Sequence, residues 1–238
     1  MSETIPLALI GMGKMGRTLA TLAPDAGFRV VAELDANRPD YTGITRESLG
    51  GAHVAIEFTT PGAAAENARA CARAGCPVVV GTTGWYQELD AVATDVERAG
   101  GAILTAPNFS VGVAVFDKIV AEASRLYARL PRFADAHLVE THHAEKKDAP
   151  SGTAGALART ASAALGRDVP ITSVRVGHVP GTHELIFDSA FEQVRLVHEA
   201  RDRRVFAEGA LLAAKWLVGR RGRFTLNDVL DDSVITSP

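Results

Sequence analysis

Leu7-Ala8-Leu9-Ile10-Gly11-Met12-Gly13-Lys14-Met15-Gly16 decides the fold of the N-terminal half. Four apolar residues in a row read as a strand buried on both faces, and a G-x-G-x-x-G run directly after it turns the chain into a helix. The glycines permit a tight turn and a close backbone approach, and the helix start aims free N–H groups at a pyrophosphate. Alone, such a hexapeptide is a weak signal. Asp35 strengthens it, closing the next apolar run about 20 residues on, where a carboxylate meets ribose hydroxyls.

Outward from this motif, apolar runs at 28–34, 53–58, 77–80 and 102–105 alternate with helical patterns at 14–23, 62–74 and 86–99. Strands apolar at nearly every position belong to a parallel sheet with helices on both faces. After Ser110, a candidate helix cap, an amphipathic pattern runs to about residue 130, and then the period changes. Segments 136–141, 171–176, 183–188 and 193–198 alternate apolar with polar residues, as in a half-exposed, mixed or largely antiparallel sheet. A helix at 205–217 and a short apolar end follow. The predicted fold class is α/β: a Rossmann-type parallel-sheet dinucleotide-binding domain at 1–110, an α+β domain at 111–206, and a tail at 207–238 that returns to the first domain.

Composition narrows the function classes. The 238 residues are 47% hydrophobic with a formal charge of −3, so a core is expected and neither nucleic acid nor an anionic membrane is an expected partner. There is no membrane-length apolar run, and residues 1–6 lack a secretory pattern, so the cytoplasm is the expected compartment. Cys71 and Cys76 lack metal-ligand spacing and are expected to be free, buried thiols.

Two further loops follow strand C-termini, where open α/β sheets bind ligands: Gly81-Thr82-Thr83-Gly84 and Ala106-Pro107-Asn108-Phe109-Ser110. Their glycines, hydroxyls and the Asn108 amide suit a carboxamide such as that of nicotinamide. Ala36 follows Asp35, so no arginine stands next to the carboxylate to hold a 2′-phosphate. NADH is therefore the expected cofactor, with Lys14 leaving NADPH use possible.

The chemistry concentrates in His142-His143-Ala144-Glu145-Lys146-Lys147-Asp148-Ala149-Pro150-Ser151-Gly152-Thr153. Adjacent histidines on an extended segment face opposite sides, so His142 and His143 take different tasks. Lys146 is a candidate ammonium acid, and Ser151 can cap a helix whose first N–H groups, at Gly152 and Thr153, hold a carboxylate. The spacing is not that of an H-E-x-x-H zinc site and no third ligand is evident, so no metal is expected.

These segments resemble the 4-hydroxy-tetrahydrodipicolinate reductases, also called dihydrodipicolinate reductases, of the diaminopimelate route to lysine. The resemblance rests on the Gly11–Gly16 loop, Gly81-Thr82-Thr83-Gly84, Asn108-Phe109-Ser110-Val111-Gly112, the Glu140-to-Ala154 region and Gly181-Thr182-His183-Glu184. It implies NAD(P)H-dependent reduction of a cyclic dicarboxylate with loss of water. By matching positions, it makes His142 the acid/base residue and Lys146 the proton donor, with His143, Ser151, Gly152 and Thr153 binding substrate. Gly11, Met12, Gly13, Lys14, Met15, Gly16, Asp35, Gly81, Thr82, Thr83, Ala106, Pro107, Asn108 and Phe109 would bind the dinucleotide. It also implies a homotetramer built through the second domain's sheet. The chain departs from the family pattern in a shorter glycine loop bearing Lys14, in Ala144-Glu145 where a basic pair is common, and in its modest length.

Overall fold

The computed structural model describes residues 4–133 and 135–235, the side chains of 233–235 excepted. Readings that fall on residues 1–3, and on 236–238 at the end of the tail, lie outside the described residues. The chain folds as two compact units, one formed up to Phe109 and again from Phe206, the other by Ser110–Val205.

In the first unit the opening motif becomes β1 (Ile5–Ile10) and α1 (Lys14–Leu22). There follow β2 (Phe28–Leu34), β3 (Val54–Glu57), α2 (Pro61–Arg73), β4 (Val78–Val80), α3 (Leu89–Arg98) and β5 (Ala102–Thr105). Every residue of β3, β4 and β5 is buried, as expected of parallel strands covered on both faces. Ala64, Ala68, Cys71 and Ala72 of α2 face this core, their small side chains letting the helix lie close to the sheet. Burial pushes the Cys76 thiol up to about 12 and raises Cys71 as well.

The chain returns to this unit through α6 (Arg204–Leu217), and there the structure adds what the sequence pattern did not predict. Gly222–Thr225 is a strand, β10, paired parallel to β5, and Leu226–Ile235 is a helix, α7. A four-residue edge strand with alternate positions exposed is too short and too polar to register as periodicity. The predicted 86–99 helix likewise starts as a 3-10 turn at Tyr86–Glu88, with Trp85 buried just ahead of it. The all-parallel sheet runs β10-β5-β4-β3-β1-β2. After β2 the chain crosses back over β1 to β3, so the strand order reverses between β1 and β3 and their C-terminal loops diverge into a crevice.

The second unit holds α4 (Val111–Tyr127), β6 (Asp135–His142), α5 (Gly152–Leu165), β7 (Ile171–Arg175), β8 (Thr182–Asp188) and β9 (Gln193–Glu199). Ser110 starts α4 by accepting the Val113 N–H at 3.2 Å, and α4 ends three residues before the predicted 130. The sheet runs β7-β6-β8-β9, with β6 and β7 parallel and the other pairs antiparallel. Phe116, Val120, Phe133, Leu138, Leu157, Leu185 and Phe187 form its core, and Tyr127 stacks on Phe187 at 4.2 Å. Leu138 and Leu185 are wholly buried, each worth about 1.5–3 kcal/mol of removed apolar surface. Among the described residues no helix is long and apolar enough to cross a membrane.

Candidate active site

The period of two along a strand builds the site of the second unit. Ala136, Leu138, Glu140 and His142 share one face of β6, the face that meets the core. Register makes this a ladder of rungs. Leu138 lies beside Ile171 and Leu185, and Leu185 beside Leu196, giving an apolar rung. The next holds Ser173, Glu140, His183 and His198, and beyond it Arg175 lies beside His142. The core of this unit therefore grades into a buried polar cluster within two residues.

Glu140 has no exposed surface and four partners. Its Oε1 accepts from Arg175 Nη2 at 2.6 Å and from the Ser151 N–H at 3.3 Å, Oε2 binds His142 Nδ1, and Ser173 hydrogen-bonds it as well. Burial by itself would raise this carboxyl. Arg175, Ser173 and the charge of His142 outweigh burial and hold it down at about 2. His142 is pushed down by burial first and by Lys146 and Arg175, against the opposing pull of Glu140. Burial, with His142 next, lowers His183 to about 4. At neutral pH the cluster is thus an ionised carboxylate beside two neutral imidazoles, and a neutral His142 bound through Nδ1 to a carboxylate carries its proton there.

Loop 143–150 is tied down at both ends: the Val176 N–H donates to the His142 carbonyl at 3.0 Å, the Ala144 N–H to Gly177 at 3.1 Å, and Arg175 Nη2 to the Asp148 carbonyl at 2.6 Å. Within it, Lys146 Nζ reaches both oxygens of Asp148, at 2.7 and 2.9 Å. That hydrogen bond is the main reason the Asp148 carboxyl is lowered. Ser151 accepts the Ala154 N–H at 3.1 Å, capping α5, and its hydroxyl lies 3.3 Å from His183 Nε2. Glu145 is exposed, and His143 is half-buried.

Glu140, His142 and His183 each offer a ligand atom within 4.8 Å of the others. The oxygens of Glu140 are already engaged, and Arg175 and Lys146 add positive charge. This donor set suits a proton better than a cation.

In the first unit the crevice between β1 and β3 is an open cleft of about 360 Å³ lined by Gly13, Lys14, Met15, Phe58, Thr59, Pro61, Gly81, Thr82 and Thr83. The three glycines of the motif divide their work. Gly11 turns the chain at φ +93° against the Phe58 carbonyl, and Gly16 packs α1 against the Gly11 carbonyl. Gly13 would place a side chain in open space, so the absence of one there leaves room for a ligand. The Thr82 hydroxyl accepts the Thr59 N–H at 2.7 Å, and Trp85 Nε1 donates to the Thr82 carbonyl at 2.8 Å, bracing two walls of the cleft. Asp35, at the end of β2, accepts both the backbone and side-chain N–H groups of Asn37 at 3.0 Å.

Two family models divide the chain between them: "Dihydrodipicolinate reductase, N-terminus" matches residues 5–109 and "Dihydrodipicolinate reductase, C-terminus" residues 112–230. The chain belongs to the dihydrodipicolinate reductase family. A 4-hydroxy-tetrahydrodipicolinate reductase of Christiangramia forsetii is 32% identical over 95% of this chain and 98% of its own length. One from Acidiphilium cryptum is 38% identical over 92% and 94%. A solved dipicolinate-bound dihydrodipicolinate reductase from Paenisporosarcina sp. TG-14 superposes with a TM-score of 0.78 at 23% identity, covering 93% of this chain and 97% of that one, and so shares the fold. Membership of this reductase family implies the use of a nicotinamide dinucleotide.

Within this dihydrodipicolinate reductase fold, the structure brings His142, Lys146 and Ser151 to one end of the second sheet, with Gly152 and Thr153 opening α5 there. It places Gly13, Lys14, Met15, Gly81, Thr82 and Thr83 around the cleft. Met12 and Ala106 are buried, Pro107 is exposed, and Phe109 is buried edge-on against Phe58 at 6.2 Å, where it backs a cleft wall without lining it. Sequence reasoning assigned no role to Glu140, Arg175, His183 or Trp85. Glu140 was legible as the i−2 neighbour of His142 on one strand face. Arg175 and His183 come from 33 and 41 residues further on and needed the sheet register.

Proposed function

We propose that this chain catalyses the NAD(P)H-dependent reduction of 4-hydroxy-tetrahydrodipicolinate to tetrahydrodipicolinate with loss of water. The observation that carries this reading is the buried Glu140–His142 pair beside Lys146 and the capped start of α5: a proton-handling group next to an anion-holding one. The dinucleotide would rest on the Gly11–Gly16 turn, with Asp35 at its ribose and the Gly81–Thr83 loop at the other wall. When bound, it supplies the hydride. Hydride and one proton add to the substrate and one water leaves, so the atoms balance.

The residues of the second unit handle the proton and the carboxylates. Lys146 is an ammonium oriented by Asp148, and it donates the proton as negative charge develops on the ring. His142, neutral at pH 7, exchanges a proton through Nε2. The N–H groups of Gly152 and Thr153 and the side chain of His143 hold substrate carboxylate, with Ser151 keeping that helix start in shape. The Paenisporosarcina relative is dipicolinate-bound, and dipicolinate is a dicarboxylate, which supports this ligand class.

NADH is the preferred cofactor in this reading. Asp35 would repel a 2′-phosphate, and Arg38, a cation further along the same loop, is paired with Glu33 at 3.5 Å. Lys14 in the cleft wall allows some use of NADPH. The enzyme is a cytoplasmic homotetramer in the same reading. The sheet face opposite α4 and α5 exposes Val174, Val176 and Val197, supporting association there.

A coupled assay tests the function: dihydrodipicolinate synthase generates the unstable substrate, and NADH absorbance is followed. Cofactor oxidation that requires both the synthase product and this enzyme is the expected result. No oxidation above background, with either cofactor, refutes it, and kcat/KM at least tenfold higher with NADPH would overturn the cofactor preference.

A further inference from the structure

We infer that Glu140, anchored by Arg175, is a positioning residue for the reduction: it fixes the His142 ring and its Nδ1–H tautomer, so that Nε2 is the atom that exchanges protons. This rests on the proposed acid/base role of His142 and adds to it the group through which that role is set.

The geometry leaves the ring little choice. Oε2 of Glu140 takes His142 Nδ1, while Oε1 is held by Arg175 and by the Ser151 N–H, so the carboxylate cannot rotate away. Arg175 Nη2 divides between Glu140 and the Asp148 carbonyl, both at 2.6 Å, so one guanidinium sets the carboxylate and the loop that carries Lys146. On the far side of the ring, Gly181 leaves the space that Nε2 needs. A Cβ there would stand 3.0 Å from that atom. The charged and titratable groups facing His142 are Glu140 on its own strand, Arg175 on β7, His183 on β8, edge-on at 5.3 Å, and Lys146 on the loop. Only Glu140 among them favours a proton on the ring. It opposes burial and two cations.

A purely structural pair would be a poor use of this position. Buried ion pairs rarely stabilise more than apolar residues of equal volume, whereas a carboxylate bound to a ligating or catalytic imidazole sets tautomer and orientation.

Three enzymes test the inference: the wild type, Glu140→Gln, and the double variant Glu140→Gln/Arg175→Gln, which removes the stranded arginine charge in case the single variant folds poorly. Long-range ¹⁵N–¹H NMR of the His142 ring is expected to show Nδ1 protonated and Nε2 bare in the wild type, and mixed tautomers in both variants. In the coupled assay kcat is expected to fall about 10–100-fold in both variants, with KM changed by less than about threefold. The acidic limb of the pH profile should move to lower pH, since the group favouring the imidazolium has gone. A wild-type ring protonated on Nε2 overturns the inference, as does a Glu140→Gln enzyme with wild-type kcat and profile. Recovery of wild-type kcat in the double variant also overturns it, because the single variant's loss would then come from the unpaired arginine. If the wild-type enzyme fails to reduce this substrate, the functional reading falls, and the ring NMR alone still decides the tautomer.

Discussion

Acidification should weaken the second unit through His183 in a way that one substitution isolates. The ring is buried among His142, His198 and Lys146, and its proton affinity falls from 6.5 in an open chain to about 4 in the fold. The folded protein therefore keeps His183 neutral while the unfolded chain takes up a proton as pH drops. Stability is whole above about pH 6.5 and is lost as pH falls toward 4. At about 1.4 kcal/mol per pH unit per proton, the gap is worth about 3 kcal/mol, a large share of the roughly 5–15 kcal/mol typical of a domain. Glu140 adds a further loss below about 4.5, since its carboxyl is held at about 2 in the fold. His142 and His198 act in the same direction as His183. Because these contributions overlap, the informative quantity is the difference between wild type and His183→Gln, whose amide nitrogen can still reach the Ser151 hydroxyl. Urea denaturation at steps from pH 7 to 4 should show the wild type losing about 3 kcal/mol more than the variant. Parallel curves, offset by a constant to within about 0.5 kcal/mol, would mean that His183 takes up its proton alike in the folded and unfolded chain.

Other perturbations act at separate points. In Gly81→Ala the new methyl would land on the Phe58 ring, which must then swing into the cleft; NADH affinity should fall about tenfold by calorimetry, alongside about 1–3 kcal/mol of overpacking. Ser151→Ala removes the α5 cap and should lower stability by about 1 kcal/mol in thermal unfolding. Lys146→Met should lower kcat by about a hundredfold or more with little change in KM, the size expected when a general acid is lost, and an unchanged kcat in the coupled assay would remove Lys146 from the mechanism.

The parts of this protein that could be read from sequence are those whose signal is local. β5 and α5 fall where hydrophobic runs, glycines and a serine cap put them, and β1 only gains two residues at its start. The glycine turn and the segment from His142 to Thr153 carry their chemistry in contiguous residues. What escaped is pairwise and long-range. Whether Gly222–Thr225 becomes a strand depends on β5 offering an open edge. That His183 sits beside Glu140 depends on the antiparallel register of β6 and β8, fixed by Leu138 against Leu185 in the core. Asp148 could be seen next to Lys146, but its role as the counter-ion of that ammonium needed the bend of the loop.

The four steps from Leu138 to His142 also set a limit on how this enzyme can change. A residue inserted or deleted there would turn Glu140 and His142 out to the open face of the sheet and bring Val139 and Thr141 in, because alternation on a strand permits no half-measures. The neighbouring loop is freer only where its side chains face solvent: Lys146 and Asp148 are held at a fixed spacing by each other and by Arg175, whereas an exposed position such as 145 is free to hold an acid, a base or neither. Lineages should therefore vary by substitution at 144, 145 and 147, while the strand and the spacing from His142 to Asp148 stay fixed in count. An engineer seeking a new dicarboxylate specificity has room at those exposed loop positions and almost none in the strand.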